Sequence, residues 1–432
     1  MRRELLGAGV KVALVRMAGM GAGFCLTVVL ARALGPGALG LYAYAITLLS
    51  LAAVPVNNGW ATTLLREASR GEAGPHWPHV RGMVIWGARA AAIASACALL
   101  IALGARWVTG SEAYGAQDIG LLALVLLFDQ ISGLRLSVLR GLNHPVWGQV
   151  PEMLFRPALI LVIFLLLTVV SSGPITVTHA FLSLCTASLL TSVLGVIILR
   201  WKAPAELSAA QTQTNLSVWF KSAAVLAGNA WLVVLNSQID FLMLGALATA
   251  EQLGHYRVAM QIALFSGAAY VALNMIAMQR FSKLFSAGKM QELQTAATFM
   301  SRIAFAATLP LPAIFWFAGE PILTHVFGPE YSGAVKATLL LLAVQSASSL
   351  FGFARTMLVM ANMEKKILPV TIFAIVLNVA TCGVLIPLYQ IEGAALAALI
   401  SGGFWNLVLY AQCRKLTGVD TSIFGRSRLR NA

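Results

Sequence analysis

The sequence predicts an all-α integral membrane protein, with about 12 transmembrane helices in two pseudo-symmetric six-helix lobes around a central cavity. Hydrophobic residues make up 59% of the chain and charged residues only 11%, whereas soluble domains carry about 25% charged residues. Apolar stretches long enough to cross a bilayer recur along the whole chain, and a short motif occurs twice, half a chain apart. Length, composition and repetition therefore all indicate a polytopic membrane protein.

The apolar segments can be placed to within a few residues, because a spanning helix needs about 20 largely apolar residues. They lie near 10–33, 38–60, 82–105, 118–137, 148–170, 177–199, 217–239, 252–277, 299–318, 333–360, 367–387 and 392–412. The loops between them are short. No loop is long enough to form a soluble catalytic domain.

The repeated motif is LGLY at 39–42, which recurs as LGHY at 253–256, an offset of 214 positions. The same offset also aligns identical residues before and after the motif, over two apolar segments and the turn between them. The predicted organisation is an N-terminal lobe 1–200, a cytoplasmic linker 201–216, a C-terminal lobe 217–413 and a basic cytoplasmic tail 414–432. Two fused copies of one membrane unit are typical of transporters, because a pathway can form between two halves that move against each other.

The distribution of Lys and Arg predicts the orientation in the membrane. With the N-terminus in the cytoplasm, 21 of the 30 basic residues fall at inner loops and termini and four at outer loops. Inner loops of membrane proteins carry this excess, so both termini are predicted to be cytoplasmic. The net charge of +14 therefore reflects topology, and no nucleic-acid partner is expected.

Five cations lie inside predicted spans, all in the cytoplasmic half of their helices: Arg16, Arg89, Arg156, Lys221 and Arg355. A charge at this depth is costly and usually faces a wet cavity or a partner. Long side chains can also snorkel to the interface, and Glu152 and Arg156 have the i,i+4 spacing of a helical ion pair. We expect at least two of the five to line a cavity and bind an anionic head group, with Arg16 first among them.

A polar stripe follows the seventh predicted span, at steps that keep Ser222, Asn229, Asn236 and Asp240 on one helical face. Such a face avoids lipid. Asp240 has three interpretations: a solvated interfacial acid, a partner of Arg257, or a proton- or cation-coupling site. Asp240, Arg257 and the intramembrane Asp129 are the predicted coupling or gate residues.

Three stretches carry a resemblance to a known family. RALGPGALGLY at 32–42 resembles the R-x-LGP-x-x-[FL]G-x-Y turn of polysaccharide flippases in the multidrug/oligosaccharidyl-lipid/polysaccharide exporter superfamily. DFLMLG at 240–245 with LGHY at 253–256 is similar to the second-half signature, and LRGL at 139–142 with PE at 151–152 and RP at 156–157 is also similar. The resemblance covers essentially the whole chain. One departure is ATAE in the second repeat, where the first repeat has GP.

The resemblance implies a multi-pass flippase of the bacterial inner membrane. Such a protein moves undecaprenyl-pyrophosphate-linked oligosaccharides from the cytoplasmic to the periplasmic leaflet by alternating access, for O-antigen, lipopolysaccharide or exopolysaccharide biosynthesis. Cations would bind the phosphates, and Asn57, Asn58, Trp60, Asn229 and Asn236 would contact the sugars. A polysaccharide polymerase and a chain-length regulator are the expected protein partners, with membrane lipid around them.

The sequence predicts no covalent chemistry and no cofactor. It contains no P-loop, so direct ATP hydrolysis is not expected to drive the cycle. The five cysteines are scattered singly, so no disulfide or metal site is predicted.

Three alternatives remain open. A drug/cation antiporter of the same superfamily would favour carboxylates in its cavity, and this chain has few. A lipid II-type flippase would share the chemistry, but it usually carries two additional helices. An integral-membrane polysaccharide polymerase or ligase would need a sizeable outer loop with catalytic residues, and the outer loops are short.

Overall fold

The structure is a computed structural model that describes residues 2–71, 77–110, 113–171 and 173–425, with side chains from residue 14 onward. Every regular element in these ranges is helical. The basic tail predicted at 414–432 is described only as far as Gly425, because 426–432 lie outside the described residues. The α-helices are α1 Arg2–Val54, α2 Ala61–Gly71, α3 Trp77–Thr109, α4 Ala116–Gly141, α5 Pro145–Val150, α6 Arg156–Val170, α7 Val177–Lys202, α8 Ala205–Ala209, α9 Leu216–Leu247, α10 Ala250–Ser266, α11 Ala268–Ser286, α12 Met290–Thr308, α13 Pro310–Val326, α14 Val335–Phe351, α15 Ala354–Met360 and α16 Glu364–Thr417.

In the described ranges nine helices are long and apolar enough to cross a membrane, or ten if the bent pair α10 and α11 forms one span. Two of them are unusually long, Leu14–Arg70 with 57 residues and Glu364–Thr417 with 54. A straight helix of that length would measure about 80 Å, more than twice the ~30 Å hydrocarbon core. Each therefore contains two of the predicted spans, which brings the ten to the twelve expected from the sequence.

Both long helices are interrupted at one residue with a positive φ. Gly35 interrupts α1 with φ 73° and ψ 173°, and Gln390 interrupts α16 with φ 53° and ψ −122°. Glycine adopts this region without a Cβ clash, whereas a residue such as Gln390 is strained there by about 1–3 kcal/mol. The breaks lie in the short turns predicted between spans 1 and 2 and between spans 11 and 12.

Two prolines begin short π-helical segments, Pro55–Trp60 and Pro151–Phe155. Proline lacks the N–H that would continue the α-helical ladder, and single π-turns in helices are frequent at functional sites. Asn57, Asn58 and Glu152 lie in these two segments, where the local geometry differs from that of the flanking helices.

The chain divides by its internal packing into two compact units. Unit 1 comprises Met1–Leu26 and Leu41–Leu235, and unit 2 comprises Thr27–Gly40 and Asn236–Ala432. Helices α1 and α9 each contribute to both units. The lobe boundaries expected from the sequence, with a linker at 201–216, stay a prediction.

The core of unit 1 is built around Trp60, which is 2% exposed. Its indole Nε1 donates to the Met83 carbonyl at 2.9 Å, and its ring meets Trp219 edge to face at 6.2 Å. Next to it, Gly59 packs so closely on Ala223 that an added Cβ would stand 2.6 Å from that residue's carbonyl oxygen. These contacts hold the first turns of α9 against the π-helical segment Pro55–Trp60.

The core of unit 2 includes the C-terminal residues 418–425, which fold back after α16. The Ser301 hydroxyl donates to the Thr421 carbonyl at 2.7 Å, and Arg302 Nε donates to the Ile423 carbonyl at 2.9 Å. Gly352, with φ 71°, makes room for the Thr421 carbonyl, which would lie 2.0 Å from an added Cβ. This segment, here called the C-terminal strap (418–425), thus joins α12 to the end of α14.

Candidate functional site

Two arginines of unit 1 lie within electrostatic range of each other and have no carboxylate partner among the described side chains. Arg16 is half-buried in α1, and its Nε donates to Gln149 Oε1 at 3.2 Å. Arg140, exposed in the last turn of α4, is near enough for the two positive charges to repel each other. Gln149 is 5% exposed, so a buried amide holds the first guanidinium in place. We call Arg16 and Arg140 the arginine pair.

A second group of charges in unit 1 is fully compensated. Arg156 NH1 pairs with Asp129 Oδ1 at 2.8 Å and lies 3.9 Å from Glu152 Oε2. Glu152 Oε1 in turn pairs with Arg135 NH2 at 3.0 Å. The Arg135 side chain is 2% exposed and packs on Gly195, where an added Cβ would stand 2.2 Å from its Nε. We call Asp129, Glu152, Arg135 and Arg156 the buried charge network.

The network changes the interpretation of Arg156. The i,i+4 contact with Glu152 is present but long at 3.9 Å, and the closer partner is Asp129, on another helix. Two acids balance two arginines, so no net charge is left to attract an anion. Asp129, predicted as a coupling or gate residue, also lies in this pair.

The other three predicted cations are exposed and make no ion pair with the side chains that the structure describes. Arg89 stacks over the Trp86 ring at 4.8 Å, and Arg355 lies close to Tyr270 in unit 2. Lys221 is exposed on α9 in unit 1. Among the five cations predicted inside spans, Arg16 is thus the one for which a second cation without a carboxylate partner, Arg140, lies within electrostatic range.

The predicted sugar-contacting residues differ in what they offer a ligand. Trp60 is committed to the core, so its indole is closed to an external ligand. Asn57 is half-buried, its Oδ1 has no hydrogen-bond partner, and it occupies the space that a Cβ on Gly133 would need. Asn58 and Asn229 are exposed in unit 1, and Asn236 is half-buried in unit 2.

Asp240 is 7% exposed in unit 2. The Tyr256 hydroxyl donates a short hydrogen bond to its Oδ2. Tyr256 is the last residue of the repeated LGHY motif, one position before the Arg257 that the sequence suggested. The role of Asp240 and Arg257 in gating or coupling stays a prediction.

The turn of the family motif docks within unit 2. Arg32 Nε donates to the Val326 carbonyl at 2.8 Å, and Arg32 NH2 makes a short bond to the His325 carbonyl. A cation at a helix C-terminus is favourable, because free carbonyls and the helix dipole meet there. The Tyr331 hydroxyl donates to the Ala31 carbonyl at 3.2 Å. Arg32 of the R-x-LGP pattern therefore caps α13.

The two copies of the repeated motif meet each other at their glycines. A Cβ on Gly40 would stand 2.0 Å from the Ala250 carbonyl oxygen and 2.8 Å from the Gly254 nitrogen. A Cβ on Gly254 would stand 1.9 Å from the Pro36 carbonyl oxygen. Both contacts lie inside unit 2 and are related by the 214-residue offset. We call Gly40 and Gly254 the glycine contact.

Tyr114 anchors the residue that follows the first glycine. Its hydroxyl donates to the Leu41 carbonyl at 2.9 Å in unit 1. Tyr114 lies in the loop between α3 and α4, and burial, with smaller contributions from Tyr44 and Asp118, raises the pKa of its hydroxyl. It therefore remains a neutral hydrogen-bond donor at physiological pH.

In the described part of the chain no three His, Cys, Asp or Glu side chains come together. The cysteines are all free. Sequence reasoning missed Gln149 and Arg135, whose partners Arg16 and Glu152 lie 133 and 17 residues away in the chain. Only their polarity inside predicted spans could have signalled them.

A family model described as polysaccharide biosynthesis protein matches residues 9–284. No curated protein matches the chain. Similar solved structures include an inward-facing multidrug resistance MATE family transporter of the MOP superfamily, with a TM-score of 0.76, 13% identity and coverage of 93% of this chain and 97% of that one.

Two other similar structures belong to named organisms. A MOP superfamily transporter from Pyrococcus furiosus, for which reversed polarity of the binding pocket suggests a different function, gives a TM-score of 0.65 at 16% identity, covering 94% and 95% of the two chains. A Vibrio cholerae MATE transporter mutant gives 0.67 at 13% identity, covering 96% and 97%. At these identities the similarity shows the fold alone, and it confirms the predicted all-α membrane fold class.

Proposed function

Because the chain belongs to the polysaccharide biosynthesis protein family of the MOP transporter superfamily, we propose that it is a lipid-linked oligosaccharide flippase. Its substrate would be an undecaprenyl-pyrophosphate-linked repeat unit, moved across the bacterial inner membrane by alternating access. The product would supply a cell-surface polysaccharide such as O-antigen, lipopolysaccharide or exopolysaccharide. A polymerase and a chain-length regulator would act on it afterwards.

The observation that carries this proposal is the arginine pair. No described carboxylate pairs with Arg16 or Arg140, and the two positive charges lie within electrostatic range of each other. Two like charges kept together in a membrane protein are favourable when an anion bridges them, because charge-assisted hydrogen bonds then replace the repulsion. A pyrophosphate offers several oxygens to two guanidinium forks.

The buried charge network supports the same assignment, because its two acids are already paired with arginines of the network. Asp129 and Glu152 are engaged by Arg156 and Arg135, so they do not neutralise the arginine pair. We therefore propose Arg16 and Arg140 as phosphate-binding residues and Arg156 as a structural one. Arg89, Lys221 and Arg355 remain proposed as cations that attract the anionic head group without fixing its position.

The amides in unit 1 are proposed to assist with sugars. Asn57 has an unpartnered oxygen, and Asn58 and Asn229 are exposed. A side-chain amide both donates and accepts, which suits hydroxyl groups. The gate or coupling function is proposed for Asp240 with Arg257, through pairing or through uptake of a proton.

The test is flipping of a fluorescent undecaprenyl-pyrophosphate-linked oligosaccharide by purified protein in vesicles. Arg16→Gln and Arg140→Gln are each expected to slow flipping at least tenfold, because one guanidinium contact to phosphate is lost. The control is Arg70→Gln, an exposed arginine whose charge pairs with Glu67 three residues earlier. Wild-type flipping by Arg16→Gln would overturn the assignment of the pair. Failure of the wild-type protein to flip the substrate would overturn the function.

A drug/cation antiporter is the second candidate, and the buried Asp240 carboxylate favours it. Such a protein should exchange ethidium for protons in the same vesicles and ignore the oligosaccharide. Adding lipid II as a competitor tests for the alternative of a lipid II-type flippase. Strong competition by lipid II over other pyrophosphate-linked glycans would favour a lipid II-type activity.

A further inference from the structure

Unit 2 contains a cavity of about 300 Å³ among α9, α10, α14 and α16, with polar side chains in a largely apolar wall. Its lining includes three side-chain amides that make little or no use of their hydrogen-bonding capacity: Asn236, Gln345 and Asn378. Asn236 and Gln345 form no side-chain hydrogen bond with the described protein. Asn378 is 5% exposed, and its amide accepts only from the Cys382 thiol, at 3.2 Å. We call this cavity the amide pocket.

The free hydrogen-bonding groups of these amides suit a bound polar molecule. Apolar surroundings make an unsatisfied polar group costly. Three such groups converge on one cavity between membrane-spanning helices. Its volume is at the lower end of small-molecule sites, which measure roughly 300–1,000 Å³.

The remaining lining residues limit the chemical class of a molecule that the pocket can bind. Trp405 Nε1 donates to Thr371 Oγ1 at 3.2 Å, so the indole offers an occupant only its apolar ring surface. The Asn406 Nδ2 donates to Ser348 Oγ at 3.0 Å, which leaves the amide oxygen of Asn406 to accept. Asp240 adds one carboxylate, and none of the residues that line the pocket is basic.

These features describe a carbohydrate site. Amides satisfy the paired donors and acceptors of neighbouring hydroxyl groups, and an indole ring covers the apolar C–H face of a pyranose. The Asp240 carboxyl accepts from hydroxyls, and the lining offers phosphate and uronate groups no basic side chain as a counter-charge. We propose that the amide pocket binds a neutral pyranose residue, either a hexose or an N-acetylhexosamine, of the transported glycan, an inference that rests on the proposed flippase function.

A glycine that packs against Gln345 positions this amide. Gly267 lies between α10 and α11, where the chain bends by 47°. A Cβ on Gly267 would stand 2.3 Å from Gln345 Nε2. The missing side chain therefore lets Gln345 reach its place, and Gly267 is assigned as a positioning residue.

The test is direct binding of free glycosides to the full-length protein in lipid nanodiscs, measured by saturation-transfer difference NMR. The probes are methyl glucoside, methyl N-acetylglucosaminide and methyl glucuronide. At least one neutral glycoside is expected to bind, and the glucuronide to bind more weakly. Asn378→Ala and Gln345→Ala should weaken binding at least tenfold, and Gly267→Ala should weaken it with Gln345 still present.

The matched control is Gln412→Ala, which removes an amide from the same helix as Asn378 but outside the pocket, and binding should be unchanged. A thermal unfolding midpoint within the range of the control shows that each variant is folded. The proposal is overturned if no neutral glycoside binds or if the pocket variants bind like wild type. It is also overturned if the pocket binds sodium and no glycoside. That result would appear as stabilisation by sodium that Asn378→Ala removes, with no glycoside signal.

Failure of this proposal and failure of the flippase function give different results. Glycoside binding requires no transport. If the protein binds neutral glycosides but flips no lipid-linked glycan, the pocket proposal holds and the flippase function is overturned. A protein that flips the glycan without binding any neutral glycoside retains the function and loses the pocket.

Discussion

Gly40 and Gly254 pack backbone against backbone, and each occupies a position at which the partner segment leaves no room for a Cβ. The Ala250 and Pro36 carbonyl oxygens that crowd them are themselves 214 residues apart, the offset that relates the two motifs. The contact is self-complementary, as in an isologous interface, where each side presents the same surface to the other. The repeat in the sequence is thus also a repeat of contacts.

The first prediction concerns this glycine contact. Gly40→Ala and Gly254→Ala should each lower the free energy of unfolding by about 1–3 kcal/mol, because an added methyl group forces the backbones apart. The measurement is the thermal unfolding midpoint in one detergent. Gly37→Ala is the control, since it lies in the same turn and an added Cβ there meets nothing within 4 Å. Equal midpoints for all three variants would contradict the close approach.

The second prediction concerns the buried charge network. Glu152→Gln should cost about 3–5 kcal/mol of stability, because it leaves the buried Arg135 guanidinium without its counter-charge. The control is Glu292→Gln, which breaks a pair whose side chains are both 57% exposed and should cost at most about 1 kcal/mol. Denaturant unfolding in micelles compares the two variants.

A double variant separates charge from packing in the same network. Arg135→Met with Glu152→Leu removes both charges and should recover most of the stability lost in Glu152→Gln. If the double variant is no more stable than Glu152→Gln, the loss arises from packing and the ion-pair explanation is wrong.

The third prediction concerns Asp240. Asp240→Asn keeps an oxygen to accept from Tyr256 but removes the charge. In the pairing model Arg257 then lacks a counter-charge, and adding Arg257→Gln should partly rescue transport. In the coupling model the rescue is absent, and flipping in vesicles loses its dependence on an imposed pH gradient.

Tyr256→Phe isolates the hydrogen bond, because the carboxylate stays and its donor is removed. It should impair transport without abolishing the response to the pH gradient. Flipping that is unchanged in Asp240→Asn would eliminate both models and leave Asp240 as a structural acceptor for Tyr256.

The fourth prediction concerns Arg16 in cells. Arg16→Glu should abolish surface polysaccharide while the protein remains in the membrane at its normal amount, since a carboxylate repels the phosphates. Arg16→Lys should give an intermediate level, because it keeps the charge but loses the bidentate fork. Surface polysaccharide is measured by gel staining and protein by immunoblot. Normal polysaccharide in Arg16→Glu would remove Arg16 from the binding site.

Hydropathy predicted the helices well, because bilayer thickness alone fixes the length of apolar sequence that a span requires. The break at Gly35 was also readable, since a glycine before a proline marks a turn. The strained conformation of Gln390 was not, because nothing in its side chain favours a positive φ. Packing of the surrounding helices imposes it.

The sequence identified the charged residues of the site but not the partners with which they pair. Intramembrane charge identified Arg16, Arg156 and Asp129 as residues of interest. Sequence spacing then suggested Glu152 for Arg156, although the closer partner is Asp129, 27 residues earlier. Trp60 was expected to contact sugar because aromatics often do, but the same apolar area makes it a core residue. Contacts between helices decide such cases, and spacing within one helix does not reveal them.

The C-terminal strap has a consequence for biosynthesis. Residues 418–425 supply hydrogen-bond partners to Ser301, Arg302 and the Phe351 carbonyl. Those partners follow α16 in the chain, so unit 2 cannot complete its packing while the ribosome is still adding α16. A premature stop after Thr417 would leave every described membrane span intact. It would still remove the hydrogen-bond partners that residues 418–425 give to α12 and to the end of α14. Cellular quality control would then meet a fully inserted protein that is unable to finish folding.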